Sequence, residues 1–331
     1  MAGRRVLITG VGSAIGTALA RRLELDREFD YVAGIDTRAP RAPLERTELI
    51  EADTRDPVIT RLIPGLEVDT VVHNQIVRFP VRGMSERAMH DINVIGSLQL
   101  LAACERSETI GVIVIRGSAG IYGSEPNAPQ FFAEEMGDLL PLRTRFQRDV
   151  AEIENYFETY SRRHPAAVCT MLRYQPAIGP SLDTQITRYL SLPLVPTYLG
   201  FDPRLQLVHQ DDAIDALVAA VKRPVPGAVN VAGEGTVGLT RMVRMASRPS
   251  LPIASPLFGP ASCMARRMRL ADFSDDFRRL LRYGRAVDTT RLVEEVGFRP
   301  RYSTVAAVRD YASKRHARRF LPSLQRAVAP G

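Results

Sequence analysis

Along the first two-thirds of the chain, short runs rich in β-branched residues alternate with longer segments whose apolar positions recur at helical spacing. That alternation is how a parallel sheet covered by helices on both faces is written. The runs at residues 5–9, 31–36, 47–52, 70–73, 112–116 and 167–173 predict strands. The segments at 14–25, 57–62, 85–107 and 147–163 predict helices between them. After Gly179 the pattern changes to Pro-rich connections, a short helix at 211–221 and a further helical stretch before the C-terminus, which predicts a smaller, discontinuous lobe. No internal repeat or low-complexity block interrupts this order.

Composition narrows the class without naming a function. The 331 residues are 45% hydrophobic and 24% charged, enough for a large core and inconsistent with a disordered or fibrous chain. The longest apolar stretches, such as 110–115, are too short to cross a bilayer, and the first residues run into a strand rather than a leader core; a cytoplasmic location is expected. Cys104, Cys169 and Cys263 have no paired or metal-like spacing, so neither a disulfide framework nor a metal site is expected, and each reads as a small buried hydrophobe. The formal charge of +7 invites a nucleic-acid surface, but only residues 266–285 are dense in arginine. There Met264, Met268, Leu270, Leu280 and Leu281 suggest an amphipathic helical region with a solvated arginine face, so neither nucleic acid nor membrane is expected as a partner.

The first strand ends in Thr9-Gly10-Val11-Gly12-Ser13-Ala14-Ile15-Gly16 and leads directly into a helix. Gly10 permits the tight turn, Gly12 and the small Ser13 let a pyrophosphate approach the backbone, and Gly16 lets the helix pack on the sheet. The helix N-terminus at Ala14 and Ile15 supplies amides for the anion. About twenty residues beyond Gly16 the second strand ends at Asp36, followed by Thr37 and Arg38, where a carboxylate can accept from an adenosine ribose diol. Strand, turn, helix, strand and acid in this order predict dinucleotide binding. Asp36 favours NAD; Arg38 and Arg41 could instead pair with a 2′-phosphate, which leaves NADP possible.

Further landmarks follow at regular intervals: Glu51-Ala52-Asp53-Thr54, Val71-Val72-His73-Asn74, Asn93-Val94-Ile95-Gly96, Gly117-Ser118-Ala119-Gly120-Ile121-Tyr122-Gly123, Leu172-Arg173-Tyr174, Val208-His209-Gln210-Asp211-Asp212, and Gly297-Phe298-Arg299-Pro300. With these the chain resembles the extended short-chain dehydrogenase/reductases, the NAD-dependent epimerase/dehydratase family. The resemblance implies an α/β fold, a Rossmann-type doubly wound parallel sheet over residues 1–175. Residues 176–331 would then form mainly a substrate lobe, with part of 205–235 returning to the first domain. It also implies cofactor contacts from Asp53 and Thr54 at the adenine and from His73, Asn74, Asn93, Gly117 and Tyr174 nearer the nicotinamide. Helices 85–107 and 147–163 would pair in a homodimer, with Ile95, Leu98, Leu101, Ile153 and Phe157 as apolar contacts, unless these are buried within one chain.

The catalytic half departs from that pattern. The family's hydroxyl is matched by Ser118, but its Tyr-x-x-x-Lys element aligns with Phe146-Gln147-Arg148-Asp149-Val150. The loss is independent of alignment: the only lysines, Lys222 and Lys314, are preceded four residues earlier by Val218 and Asp310. A free phenol has a pKa of about 10, so a substitute tyrosine needs activation. Tyr122 is the nearest candidate, against the plainer expectation that it packs under the cofactor loop. On the substrate side, Pro176 replaces an Asn, Leu205 stands where an Arg clamps a diphosphate, with Arg204 adjacent, and Asn74-Gln75-Ile76 adds polar bulk after His73.

Three functions are compatible with this pattern. One is an atypical NAD(P)-dependent enzyme of the epimerase, dehydratase or reductase type, acting on a small molecule with an altered acid/base. The others are a non-catalytic redox sensor or regulatory subunit, and a non-redox lyase or isomerase reusing the cleft.

Overall fold

A computed structural model describes residues 3–79, 84–254 and 273–314. Seven parallel strands form the central sheet: β1 (Arg4–Thr9), β2 (Phe29–Asp36), β3 (Thr47–Glu51), β4 (Thr70–His73), β5 (Val112–Ser118), β6 (Val168–Tyr174) and β7 (Gly227–Val231). Their spatial order is β7-β6-β5-β4-β1-β2-β3. The order reverses between β1 and β4, and in an open α/β sheet the crevice beyond the strand ends at such a reversal is where ligands bind.

Side chains alternate across the sheet, as a period of two requires. Leu7, Ile35, Val71, Ile113 and Ile115 enter one core, where they meet α2 (Ile59–Gly65), α4 (Gly96–Cys104) and α5 (Arg145–Arg163). Val6, Ile8, Val32, Val72 and Val114 enter the other, against α1 (Ala14–Glu24) and α6 (Gln210–Lys222). Both faces are therefore covered, which is why these strands read as nearly continuous apolar runs. A third core gathers Ile178, Ile186, Tyr189, Leu205, Met242, Phe277 and Leu280 from the C-terminal half, around three short two-stranded ladders.

Three expectations change in the folded chain. The helix expected over 85–107 is α3 (Glu86–His90), a π-helical turn at Asp91–Ile95 and then α4, and the turn brings Asn93 inward. Of the five apolar residues expected at a dimer face, Leu101, Ile153 and Phe157 are buried in the chain's own core; Ile95 and Leu98 are exposed. Within the arginine-dense region, Met264, Met268 and Leu270 lie outside the described residues, while α7 (Asp275–Tyr283) buries Phe277, Leu280 and Leu281. Its arginine face is not simply solvated: Arg282 lies over the rings of Tyr198, Phe201 and Tyr283, and Arg279 pairs with Glu125. Cys104 and Cys169 are buried free thiols, and Cys263 lies outside the described residues. Among the described residues no His, Cys, Asp and Glu side chains cluster as a metal site, and no helix is long and apolar enough to cross a membrane.

Candidate cofactor and substrate cleft

The glycine turn sits at the sheet's reversal point. Gly10 has φ 71° and its amide donates to Ile35 O at 2.8 Å, tying the turn to β2. Ser13 caps α1: its hydroxyl accepts from the Gly16 amide at 3.0 Å and donates to Gly10 O at 2.8 Å. A Cβ on Gly16 would stand 2.1 Å from Gly10 O, so the helix rests directly on the turn. The first-turn amides of Ala14 and Ile15 have no partner inside the helix, and Ser13, Ala14 and Ile15 line a cleft of about 260 Å³.

The adenosine end is equally tight. Gly12 N donates to Asp36 Oδ2 at 3.0 Å, and a Cβ on Gly12 would come within 2.4 Å of Arg38 O. Asp36 is buried; its Oδ1 accepts from the Arg38 amide at 3.0 Å, while the Arg38 guanidinium and Thr37 are exposed. A cradle closed to any side chain, free helix amides and a buried acid at the end of β2 fit an adenine dinucleotide with an unphosphorylated ribose.

The remaining expected cofactor residues divide. Asp53 is gripped by Arg55, which holds its carboxyl below the usual carboxylate range, and buried Thr54 donates to Gln75 Oε1 at 3.3 Å. Asn74 braces the turn, its Nδ2 donating to Ser13 Oγ at 3.0 Å and Gly10 O at 3.2 Å. Asn93 holds the segment after β4, accepting from Val77 N at 2.7 Å and donating to Val77 O at 2.8 Å. Gly117 O accepts from Arg78 Nη2 at 2.6 Å, and Tyr174, in the cleft wall, donates its hydroxyl to Ala213 O.

His73 differs from its expected place. Its ring lies between Thr9 Oγ1 (2.7 Å to Nδ1) and Ser97 Oγ (2.9 Å to Nε2), fully buried. Ser97 donates its own proton to Asn93 O, so Nε2 carries the imidazole proton and Nδ1 accepts from Thr9. Burial, and then the charge of Arg116, depresses its pKa to about 4. The imidazole is a neutral tie between β1, β4 and α4.

At the far end of the cleft stand Ser118, Phe146, Tyr174 and Pro176. The Ser118 hydroxyl oxygen accepts from Gly120 N at 3.1 Å, which leaves its proton free to be donated. Phe146, on the first turn of α5, packs so closely that a Cβ on Gly120 would come within 2.9 Å of its ring, while Val150 is buried in the core behind. Tyr122 is turned elsewhere. Its hydroxyl donates to Asn230 Oδ1 at 2.7 Å and accepts from Arg173 Nη1 at 2.9 Å, its ring stacks on Phe132, and Arg173 is itself paired with Glu154. Burial pushes the phenol up to about 12. These contacts are those of a packed tyrosine, the plainer of the two expectations for Tyr122.

Sequence reasoning passed over most of the cleft's charged lining: Arg78, Arg116, Arg285, Asp183 and Asp276. A signal existed for one of them, because Arg116 continues the apolar run Val112–Ile115 in the centre of a buried sheet. Leu205 is buried in the C-terminal core, and Arg204 is exposed beside a separate recess with Glu125 and Tyr283, so it does not restore the expected clamp.

These features agree with comparisons to known proteins. Residues 6–232 match the NAD dependent epimerase/dehydratase family. An uncharacterized protein of Mycobacterium tuberculosis (strain ATCC 25618 / H37Rv) is 35% identical over 312 residues, covering 92% of this chain and 82% of its own length. The dTDP-4-dehydro-6-deoxy-D-allose reductase of Streptomyces bikiniensis is 25% identical, with 90% and 92% covered. Among solved structures, the UDP-glucose 4-epimerase of Thermotoga maritima, crystallised with UDP-glucose, superposes with a TM-score of 0.73 at 17% identity, covering 95% of this chain and 99% of that one. From the glycine turn, the seven-stranded sheet and these matches together, the chain belongs to the NAD dependent epimerase/dehydratase family.

Proposed function

We propose that the protein is an NAD-dependent oxidoreductase or epimerase/dehydratase acting on a small-molecule substrate, with the family's tyrosine and lysine relay replaced. The observation that carries this reading is the continuity of one cleft from Ser13, Ala14 and Ile15 at the glycine turn to Ser118 and Phe146 at its far end. A protein that only held a dinucleotide has no need of an oriented hydroxyl there.

Gly10 to Gly16, with the Ala14 and Ile15 amides, would hold the pyrophosphate of NAD, and Asp36 would accept from its adenosine ribose. NAD, when bound, supplies reversible hydride acceptance. The chain's own part is positional and electrostatic. Ser118 offers a proton toward a substrate oxygen, held in line by Gly120 N. Phe146 and Tyr174 wall the cleft with aromatic surface, and Phe146 removes the phenol that would otherwise act there. Asn93 fixes Val77 and thereby the segment carrying Arg78. Exposed Ile95 and Leu98 support a homodimer, and a cytoplasmic location accords with the family's small-molecule chemistry.

The test is single-turnover absorbance of the NADH-loaded protein at the nicotinamide band against a panel of oxo-substrates. Substrate-dependent oxidation supports an enzyme. The Phe146 substitution favours a second reading, a non-catalytic NAD sensor, and partner binding that differs between NAD⁺ and NADH without any turnover would establish that one instead.

A further inference from the structure

We propose that the reacting end of the cleft is built for a substrate that carries an anionic oxygen group, a carboxylate or phosphate, held by Arg116 and Arg78. The proposal rests on the preceding functional reading and adds the substrate's charge and the residues that recognise it.

Arg116, Arg78 and Arg285 line the same cleft, and Arg116 and Arg285 are more than nine-tenths buried. The Nε atom of each of the three is buried without a hydrogen-bond partner. What bonds they do make are to backbone carbonyls: Arg116 Nη2 to Asn74 O at 3.3 Å, Arg78 Nη2 to Gly117 O at 2.6 Å, Arg285 Nη1 to Gly123 O at 3.3 Å. Among the described residues, the cleft's two carboxylates leave Arg116 and Arg78 without a counter-charge. Asp183 is bound on both oxygens by Arg188, and Asp276 lies 3.8 Å from Arg285 with its Oδ1 otherwise unpartnered. Burial depresses the pKa of Arg78 to about 9, and the charge of Arg116 adds to the shift. Buried charge without a counter-charge is costly, and a bound anion is the direct remedy. The guanidinium fork suits carboxylate and phosphate oxygens.

Placement selects the substrate over the cofactor as the source of that anion. Arg116 and Ser118 are two apart on β5 and so share a face of the sheet, and Arg78 is bonded to the residue between them. The cofactor's pyrophosphate already has the glycine turn and the α1 amides. Leu205 and the exposed Arg204 provide no buried clamp in the C-terminal core, so recognition of charge moves to the Ser118 end.

The test is calorimetry of the NADH-saturated protein with inorganic phosphate and with malonate, against chloride at matched ionic strength, for the wild type, Arg116→Gln and Arg78→Gln. Expected are saturable oxyanion binding to the wild type, at least tenfold weaker in either variant, and NADH affinity within threefold of wild type in both. Without ligand, Arg116→Gln should melt no lower than wild type, because it removes an uncompensated buried cation. A fall in its melting temperature with oxyanion affinity unchanged would mark a structural arginine and overturn the proposal. Absence of oxyanion binding to the NADH-loaded wild type overturns it as well. Oxyanion binding seen only in the cofactor-free protein and abolished by NADH would give the site to the cofactor's phosphates and overturn the substrate assignment. Failure of the wild type to bind NADH at all strikes the functional reading itself and is separately visible in the saturation step. Should Arg116→Gln fail to fold, Arg78→Gln carries the same comparison.

Discussion

Replacing Tyr122 by Phe distinguishes a packed tyrosine from a catalytic one. The substitution removes one oxygen that bridges two buried partners, Asn230 Oδ1 and Arg173 Nη1. Arg173 keeps Glu154 and the Glu134 carbonyl, at 2.6 Å each, so its charge stays compensated. Asn230 Oδ1, in a residue with no exposed surface, loses its donor. An unsatisfied buried acceptor costs about 1–3 kcal/mol, and a bond to a charged group contributes a similar amount. The expected loss is therefore about 2–6 kcal/mol, or ~4–12 °C in melting temperature at ~2 °C per kcal/mol for a chain of this size. Denaturant unfolding followed by far-UV circular dichroism measures the first and a thermal scan the second, with NADH affinity measured in parallel. The packing account expects the stability loss with NADH affinity unchanged within about twofold, a ΔΔG below ~0.4 kcal/mol. Unchanged stability together with a collapse of substrate-dependent NADH oxidation would refute the reasoning and return Tyr122 to the chemistry.

Ser118→Ala should slow substrate-dependent NADH oxidation by about 10²-fold or more, the scale of a lost proton or oxyanion donor, and an unchanged rate would remove Ser118 from the site. Gly12→Ala forces a methyl group to within 2.4 Å of the Arg38 carbonyl and displaces the Gly12 amide from Asp36, so NADH titration should show affinity reduced by at least ~10-fold. His73 makes stability fall on the acid side. Its folded pKa of about 4 lies below the unfolded value near 6.5, so the unfolded chain takes up a proton first as pH drops. The contribution is complete above about pH 6.5, declines below it and is gone once the pH has passed below about 4, about 3 kcal/mol in all. Urea titrations of wild type and His73→Asn should show a shallower acid limb in the variant, and parallel limbs would count against the buried neutral imidazole.

The parts legible in the sequence were those fixed by short-range order. Gly10, Gly12, Gly16 and Asp36 lie on one strand-turn-helix-strand unit, where each residue's task follows from its neighbours, and the geometry around them is local. Side-chain direction at strand ends was harder. His73 and Asn74 are adjacent, so they point apart; only Asn74 reaches the turn, while His73 points to Thr9 and Ser97. Tyr122 closes a 3₁₀ turn whose phase a pattern of two or 3.6 does not reveal, and its partners Arg173 and Asn230 come from β6 and β7, far along the chain. The charged lining depended on the same long-range assembly. Arg78, Arg116, Asp276 and Arg285 come from the segment after β4, from β5, from α7 and from the stretch beyond α7, and their convergence exists only in the folded chain.

The most direct test of the central claim is calorimetric titration of the purified protein with NAD⁺ and with NADH. The account predicts saturable binding of at least one of them at one site per chain, weakened by Gly12→Ala. No detectable binding of either form would contradict it.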